Sequence, residues 1–150
     1  MNTEQNLHKT LNIWIVDDDK LNVFISKKIW QRATINPINF IEFEDGSTAL
    51  NALLESGTVK PDLILLDLFM PVMNGFEFLD ALKEAGLPDQ YPVVVASALD
   101  RKSEIARAKS YPNVISFVSK PLTVLQVSFI ERQIFGGELF PSMDKAANSF

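Results

Sequence analysis

The sequence predicts an α/β fold: a five-stranded parallel sheet in the order 2-1-3-4-5 with helices on both faces. Three observations predict it. Five short apolar runs alternate with five longer segments of helical period. The third run, LILL at Leu63–Leu66, shows no polar alternation, as a strand buried on both faces requires. Proline, glycine and aspartate punctuate the junctions, and right-handed crossovers leave few ways to connect parallel strands.

Leu11–Val16 (LNIWIV) is β-branched and aromatic and reads as the first strand. After Asp17-Asp18-Asp19, Lys20 to about Ala33 reads as a helix, with Leu21, Ile25 and Ile29 spaced as its core face. Ile38–Phe43 is the second strand, Asp45-Gly46 a turn, and Ser47–Glu55 a helix closed near Gly57. Pro61 precedes the third strand, Asp62–Asp67. A loop with Pro71 and Asn74-Gly75 leads to a helix over Phe76–Ala85. Pro92 introduces the fourth strand, Val93–Ser97. The fourth helix spans Arg101–Ser110 with Asp100 as its N-cap. Val114–Val118 is the fifth strand; after Lys120-Pro121 the last helix runs to about Phe135 and stops at Gly136-Gly137.

The 150 residues suit one domain, read here as a polar leader (1–10), a folded unit (11–136) and a tail (137–150). Absence of cysteine excludes disulfide scaffolds, thiolate metal sites and thiol catalysis; a single histidine, His8, excludes histidine triads and multi-histidine metal sites. A net charge of −5 offers no electrostatic footprint for nucleic acid or an anionic membrane. Neither a secretory signal nor an apolar run long enough to span a bilayer is present, so the expectation is a cytoplasmic protein.

In open parallel sheets, ligands bind outside the carboxyl ends of the strands. Asp17-Asp18-Asp19, Asp67, Ser97 and Lys120 fall at the ends of strands one, three, four and five, which the order 2-1-3-4-5 makes neighbours. Each also has a plain structural reading: a helix cap with solvated charge, a merely small residue, a loop lysine. Asp67 is the odd one, because a carboxylate closing a doubly buried strand is costly unless compensated.

VDDD with Asn22 shortly after, DLFMPVMNG, VVVASA and SKP, taken together and in order, resemble the receiver domain of bacterial two-component response regulators. The resemblance covers roughly Leu11 to Phe135 and implies a flavodoxin-like (βα)5 fold. It implies that Asp67 is the phosphoryl acceptor. Asp17, Asp18, Asp67 and the backbone carbonyl of Phe69 would hold Mg2+, with Mn2+ as the alternative ion. Ser97 and Lys120 would bind the phosphoryl oxygens, across a cis Lys120-Pro121 bond. Asp19 falls outside the matched pair and is left to helix capping or supporting charge. Phe117 matches the family's aromatic switch position and reads equally as a core strand residue. Phe69 and Leu99 flank the acceptor; neither side chain can orient a hydrolytic water, so slow self-dephosphorylation is expected.

The chemistry suits these residue types. A carboxylate is a competent nucleophile. Phosphoryl transfer needs mainly positioning and charge neutralisation, which a divalent cation and a lysine supply. The implied protein is no enzyme beyond its own phosphorylation and slow dephosphorylation. Its partners are a histidine kinase or phosphotransfer protein and a downstream protein target, with neither nucleic acid nor membrane. The chain is read as a stand-alone receiver that signals on the face of helix four, strand five and helix five. A phosphorylation-independent scaffold is the alternative. A phosphohydrolase of the haloacid dehalogenase kind is disfavoured because Phe69 stands where a second acid is needed, and a flavin carrier because no phosphate loop follows strand one. In helix five, Leu122, Leu125 and Phe129 form one apolar stripe and Val127, Ile130 and Ile134 another, so one is a candidate interface, including for a homodimer. Val23 and Trp30 in helix one invite a similar reading as a kinase-docking surface.

Overall fold

The computed structural model describes residues 9–87, 90–98 and 101–135. The Asp100 cap, Leu99, His8 and the tail lie outside the described residues. Ten elements alternate: β1 (Leu11–Val16), α1 (Lys20–Ala33), β2 (Ile38–Phe43), α2 (Gly46–Leu54), β3 (Leu63–Leu66), α3 (Gly75–Glu84), β4 (Val93–Ser97), α4 (Lys102–Lys109), β5 (Val114–Ser119) and α5 (Val124–Phe135). All neighbouring strands pair parallel, in the order β2-β1-β3-β4-β5. The expected fold and strand order are therefore observed.

The sheet separates two apolar clusters. Trp14, Val16, Ile64, Leu66, Val93 and Val95 point to the face covered by α2, α3 and α4. Ile13, Ile15, Leu63, Leu65, Val94 and Ala96 point to the face covered by α1 and α5. Alternate residues of the same strands thus serve opposite layers, which is why β3 and β4 are apolar throughout.

The core face of α1 is not the one expected. Leu21 is 68% exposed, and the buried line is Val23, Ser26 and Trp30. Two apolar lines at helical spacing compete in this segment. The line with the indole wins, because Trp30 buries the larger surface and small Ser26 fits beneath the sheet. Val23 and Trp30 are accordingly core residues and not a docking surface; Leu21 and Phe24 are the exposed pair. On α5, Val127 and Ile130 are buried and Ile134 packs against the same cluster, while Leu125 is exposed and Phe129 half-buried. The other apolar stripe is split, since Leu122 precedes the helix and is buried.

Smaller shifts have local causes. Asp45 is the N-cap of α2, its side chain accepting from Thr48 N, so Gly46 is already helical. Asn74 and Glu77 form a reciprocal capping box, which makes Asn74-Gly75 the start of α3 and not a free loop. α4 begins one residue later than expected, at Lys102, with Arg101 at the N-cap and no side-chain cap bond. Among the described residues no helix is long and apolar enough to cross a membrane.

Candidate functional site

Three carboxylates meet at the carboxyl rim of the sheet. β1 delivers Asp17 and Asp18, and β3 delivers Asp67; each offers an oxygen within 4.8 Å of the others. The ladder fixes the two strand ends, with Asp67 N donating to Val16 O at 2.9 Å. Asp17 and Asp67 are 5% and 7% exposed, while Asp18 faces solvent. Asp19 does what the sequence left to it: it caps α1, accepting from the backbone N–H groups of Leu21 and Asn22 at 3.0 and 3.2 Å.

Asp17 is the most heavily bonded of the three. Its Oδ1 accepts from Asp19 N at 2.9 Å. Its Oδ2 accepts from Asn22 Nδ2 at 2.7 Å and from Lys120 Nζ at 2.8 Å. The same ammonium lies 3.2 Å from Asp67 Oδ1. Lys120 thus pairs with both acids, and its shorter contact is with Asp17. Lys120 N donates to Ser97 O at 2.9 Å, and the Lys120-Pro121 bond is cis, as the resemblance implied. Asn22 entered the sequence reading only as part of a motif. The signal that could have singled it out is its position in the first helical turn after the aspartates, facing back toward the strand end.

The electrostatics follow from burial and partners. Burial pushes the Asp67 carboxyl up to about 6, with Lys120 pulling it down and Asp17 pushing it up. Burial acts to lower the Lys120 ammonium, but the hydrogen bond to Asp17 and the charges of Asp67 and Asp17 outweigh it and raise it overall. The three acids supply an all-oxygen donor set, which suits a hard divalent cation.

The remaining expected residues are placed around this centre. Ser97 is fully buried at the end of β4 and pairs in register with Ser119. Phe117 is half-buried and packs against the cluster beneath α2, α3 and α4. The Phe69 side chain is half-exposed, and its backbone helps to pull the Asp67 carboxyl down. Gly75, read in the sequence only as part of a loop and a motif, has a steric duty: a Cβ there would stand 2.5 Å from Asp67 O and 2.8 Å from Leu68 Cα. The rim also holds an exposed Val72 at φ 65°, a conformation a β-branched residue rarely adopts.

A family model described as the response regulator receiver domain matches residues 13–128. The Regulator of RpoS of Escherichia coli (strain K12) is 36% identical over 99 residues, which are 66% of this chain and 27% of that protein. The chain thus spans about a quarter of the length of that relative. Among solved structures, a two-component response regulator from Cytophaga hutchinsonii superposes with a TM-score of 0.77 at 23% identity, covering 86% of this chain and all of the other. The phosphorylated cyanobacterial phytochrome response regulator RcpA gives 0.70 at 26% identity, covering 89% and 99%.

Proposed function

Because the chain belongs to the response regulator receiver family, we propose that it accepts one phosphoryl group on Asp67 from a histidine kinase or phosphotransfer protein and passes the signal to a protein target. The observation that carries this is Lys120 lying between Asp17 and Asp67 beside three clustered carboxylates. An Asp67 oxygen attacks the phosphorus, the new O–P bond forms as the bond to the donor nitrogen breaks, and the donor imidazole keeps the electron pair. Asp17, Asp18 and Asp67, with the Phe69 carbonyl, would hold Mg2+ or Mn2+, which supplies charge neutralisation when bound. Lys120 and Ser97 take the phosphoryl oxygens. The protein is in this reading no enzyme beyond its own modification, and it works in the cytoplasm.

The readout runs through the elements nearest those two residues. Ser97 ends β4, Lys120 follows β5, and α4 and α5 flank them, with Val124 and Leu125 exposed. A target protein, or a second copy, docks there. The half-exposed Phe69 shields the acceptor from water and slows hydrolysis. Incubation with acetyl phosphate, with and without Mg2+, followed by intact mass, tests the proposal. One phosphoryl group is expected only with the metal, and none in Asp67→Asn. A wild-type chain that never labels is a scaffold instead.

A further inference from the structure

We infer that Asn22 is a positioning residue, a standby donor that keeps Asp17 hydrogen-bonded when Lys120 is drawn toward a phosphoryl group on Asp67. The inference rests on the proposed phosphorylation and adds to it a residue outside the acid and lysine set. Asp17 Oδ2 accepts from two donors at nearly equal distance, Asn22 Nδ2 at 2.7 Å and Lys120 Nζ at 2.8 Å. The two donors differ in mobility. Lys120 reaches the oxygen on a flexible four-carbon arm and already touches Asp67 at 3.2 Å. Asn22 reaches it on a short side chain whose own backbone N–H is tied to the Asp19 cap at 3.2 Å.

The consequence concerns a buried charge. Asp17 is 5% exposed, and its other oxygen is bonded to Asp19 N. When new phosphoryl oxygens pull the ammonium outward, Asp17 Oδ2 loses a charged donor inside the fold. A buried carboxylate oxygen left unsatisfied is costly, so the move would be opposed by the site itself. The amide of Asn22 stays behind and satisfies the oxygen. Asn22 therefore favours the phosphorylated arrangement over the resting one, in which Lys120 alone could serve Asp17.

The test separates binding of metal from binding of a phosphoryl mimic. Mg2+ affinity alone, and beryllofluoride affinity at saturating Mg2+, are measured by calorimetry on the full chain for wild type and Asn22→Leu, which keeps the shape and removes the donor. Mg2+ affinity falls to the extent that one hydrogen bond to a metal-holding carboxylate is lost, and beryllofluoride affinity at saturating Mg2+ is expected to fall about tenfold more, the scale of one unsatisfied charged acceptor. In a Lys120→Met background no donor leaves Asp17, and Asn22→Leu should no longer change the ratio of the two affinities. Equal loss of both affinities, or no loss of either, overturns the role. Asn22→Ala is the second variant, and loss of fold in both makes Asn22 a folding residue and equally overturns it. A folded wild type that ignores beryllofluoride with Mg2+ present is a different failure, that of the receiver reading itself.

Discussion

α3 and α4 are neighbours on one face of the sheet and are held there by different physics. α3 carries a capping box and buries Gly75, Phe76, Phe78, Leu79 and Leu82. α4 has no side-chain cap and buries only Ala108. What it lacks in apolar contact is replaced by polar tethers to α3. The Arg107 guanidinium lies 4.0 Å from the Phe76 ring and 3.7 Å from Asp80, and the Tyr111 hydroxyl, just past α4, donates to Asp80 Oδ1 at 2.5 Å. The same contrast holds for the strands: β3, ending at Asp67, is buried throughout, whereas β5, leading to Lys120, is mostly half-buried. A rigid half presents Asp67 and a loosely held half lies beside Ser97 and Lys120. Such a division suits a site whose charge has to move one neighbour without disturbing the other.

The strongest break is on the rigid side. Phe78→Ala empties a fully buried position and should cost about 3–5 kcal/mol in urea unfolding. A loss below about 1 kcal/mol would mean α3 is not the anchor described. Gly75→Ala tests the junction of α3 and Asp67. Its Cβ would collide with backbone at Asp67 and Leu68, where nothing flexible can yield. A cost of about 1–3 kcal/mol is expected, together with loss of acetyl phosphate labelling in protein that circular dichroism shows to be folded.

A further effect concerns the proposed acceptor, Asp67. In metal-free protein the folded-state Asp67 carboxyl sits near 6, above its ordinary 3.8. The native state therefore binds the proton more tightly than the unfolded state, and this group's contribution falls as pH rises between those values and is flat above them. Relative to Asp67→Asn, the wild type should lose about 1–3 kcal/mol across that window. Urea midpoints of both proteins in chelator at three pH values measure it. A constant difference would show that burial does not dominate at Asp67. Lys120, whose folded-state value is also raised, has the same sign in a higher window: its contribution is kept at neutral pH and lost in strong alkali as pH rises through that value.

The strand order and the gathering of Asp17, Asp18, Asp67, Ser97 and Lys120 were legible because both follow from chain order and an unbroken apolar core. Five strand ends in one parallel sheet have little choice of where to meet. α1 was misread because periodicity finds apolar lines without ranking them. Val23-Ser26-Trp30 hides a polar residue in its middle, and only the sheet above it shows that a small side chain is what fits. Lys120 against Asp17 was illegible for another reason. The pairing is decided by a few tenths of an ångström between two carboxylates, 2.8 against 3.2 Å, and sequence separation carries no such information. The bond from Asn22 to Asp17 is local, and helix geometry alone could have found it.

The most delicate test loosens α4 further and leaves α3 alone. Arg107→Met keeps the length of the side chain but removes the charge over Phe76 and beside Asp80. Both partners of the ion pair are about half exposed, so that interaction and the ring contact together contribute at most about 1 kcal/mol. Global stability should hardly change. Local stability should, because Ala108 is the one buried residue of α4 and these tethers are its side-chain bonds to α3 among the described residues. Amide exchange over Lys102–Lys109 is expected to quicken several-fold while exchange over Gly75–Glu84 stays at its wild-type rate. If both helices quicken together, α4 is bound as firmly to the fold as α3, and the division into a rigid and a yielding half is wrong. If only α4 responds, the tethers to α3 hold it at rest, and in the proposed readout they are what a pull from Ser97 and Lys120 would have to overcome.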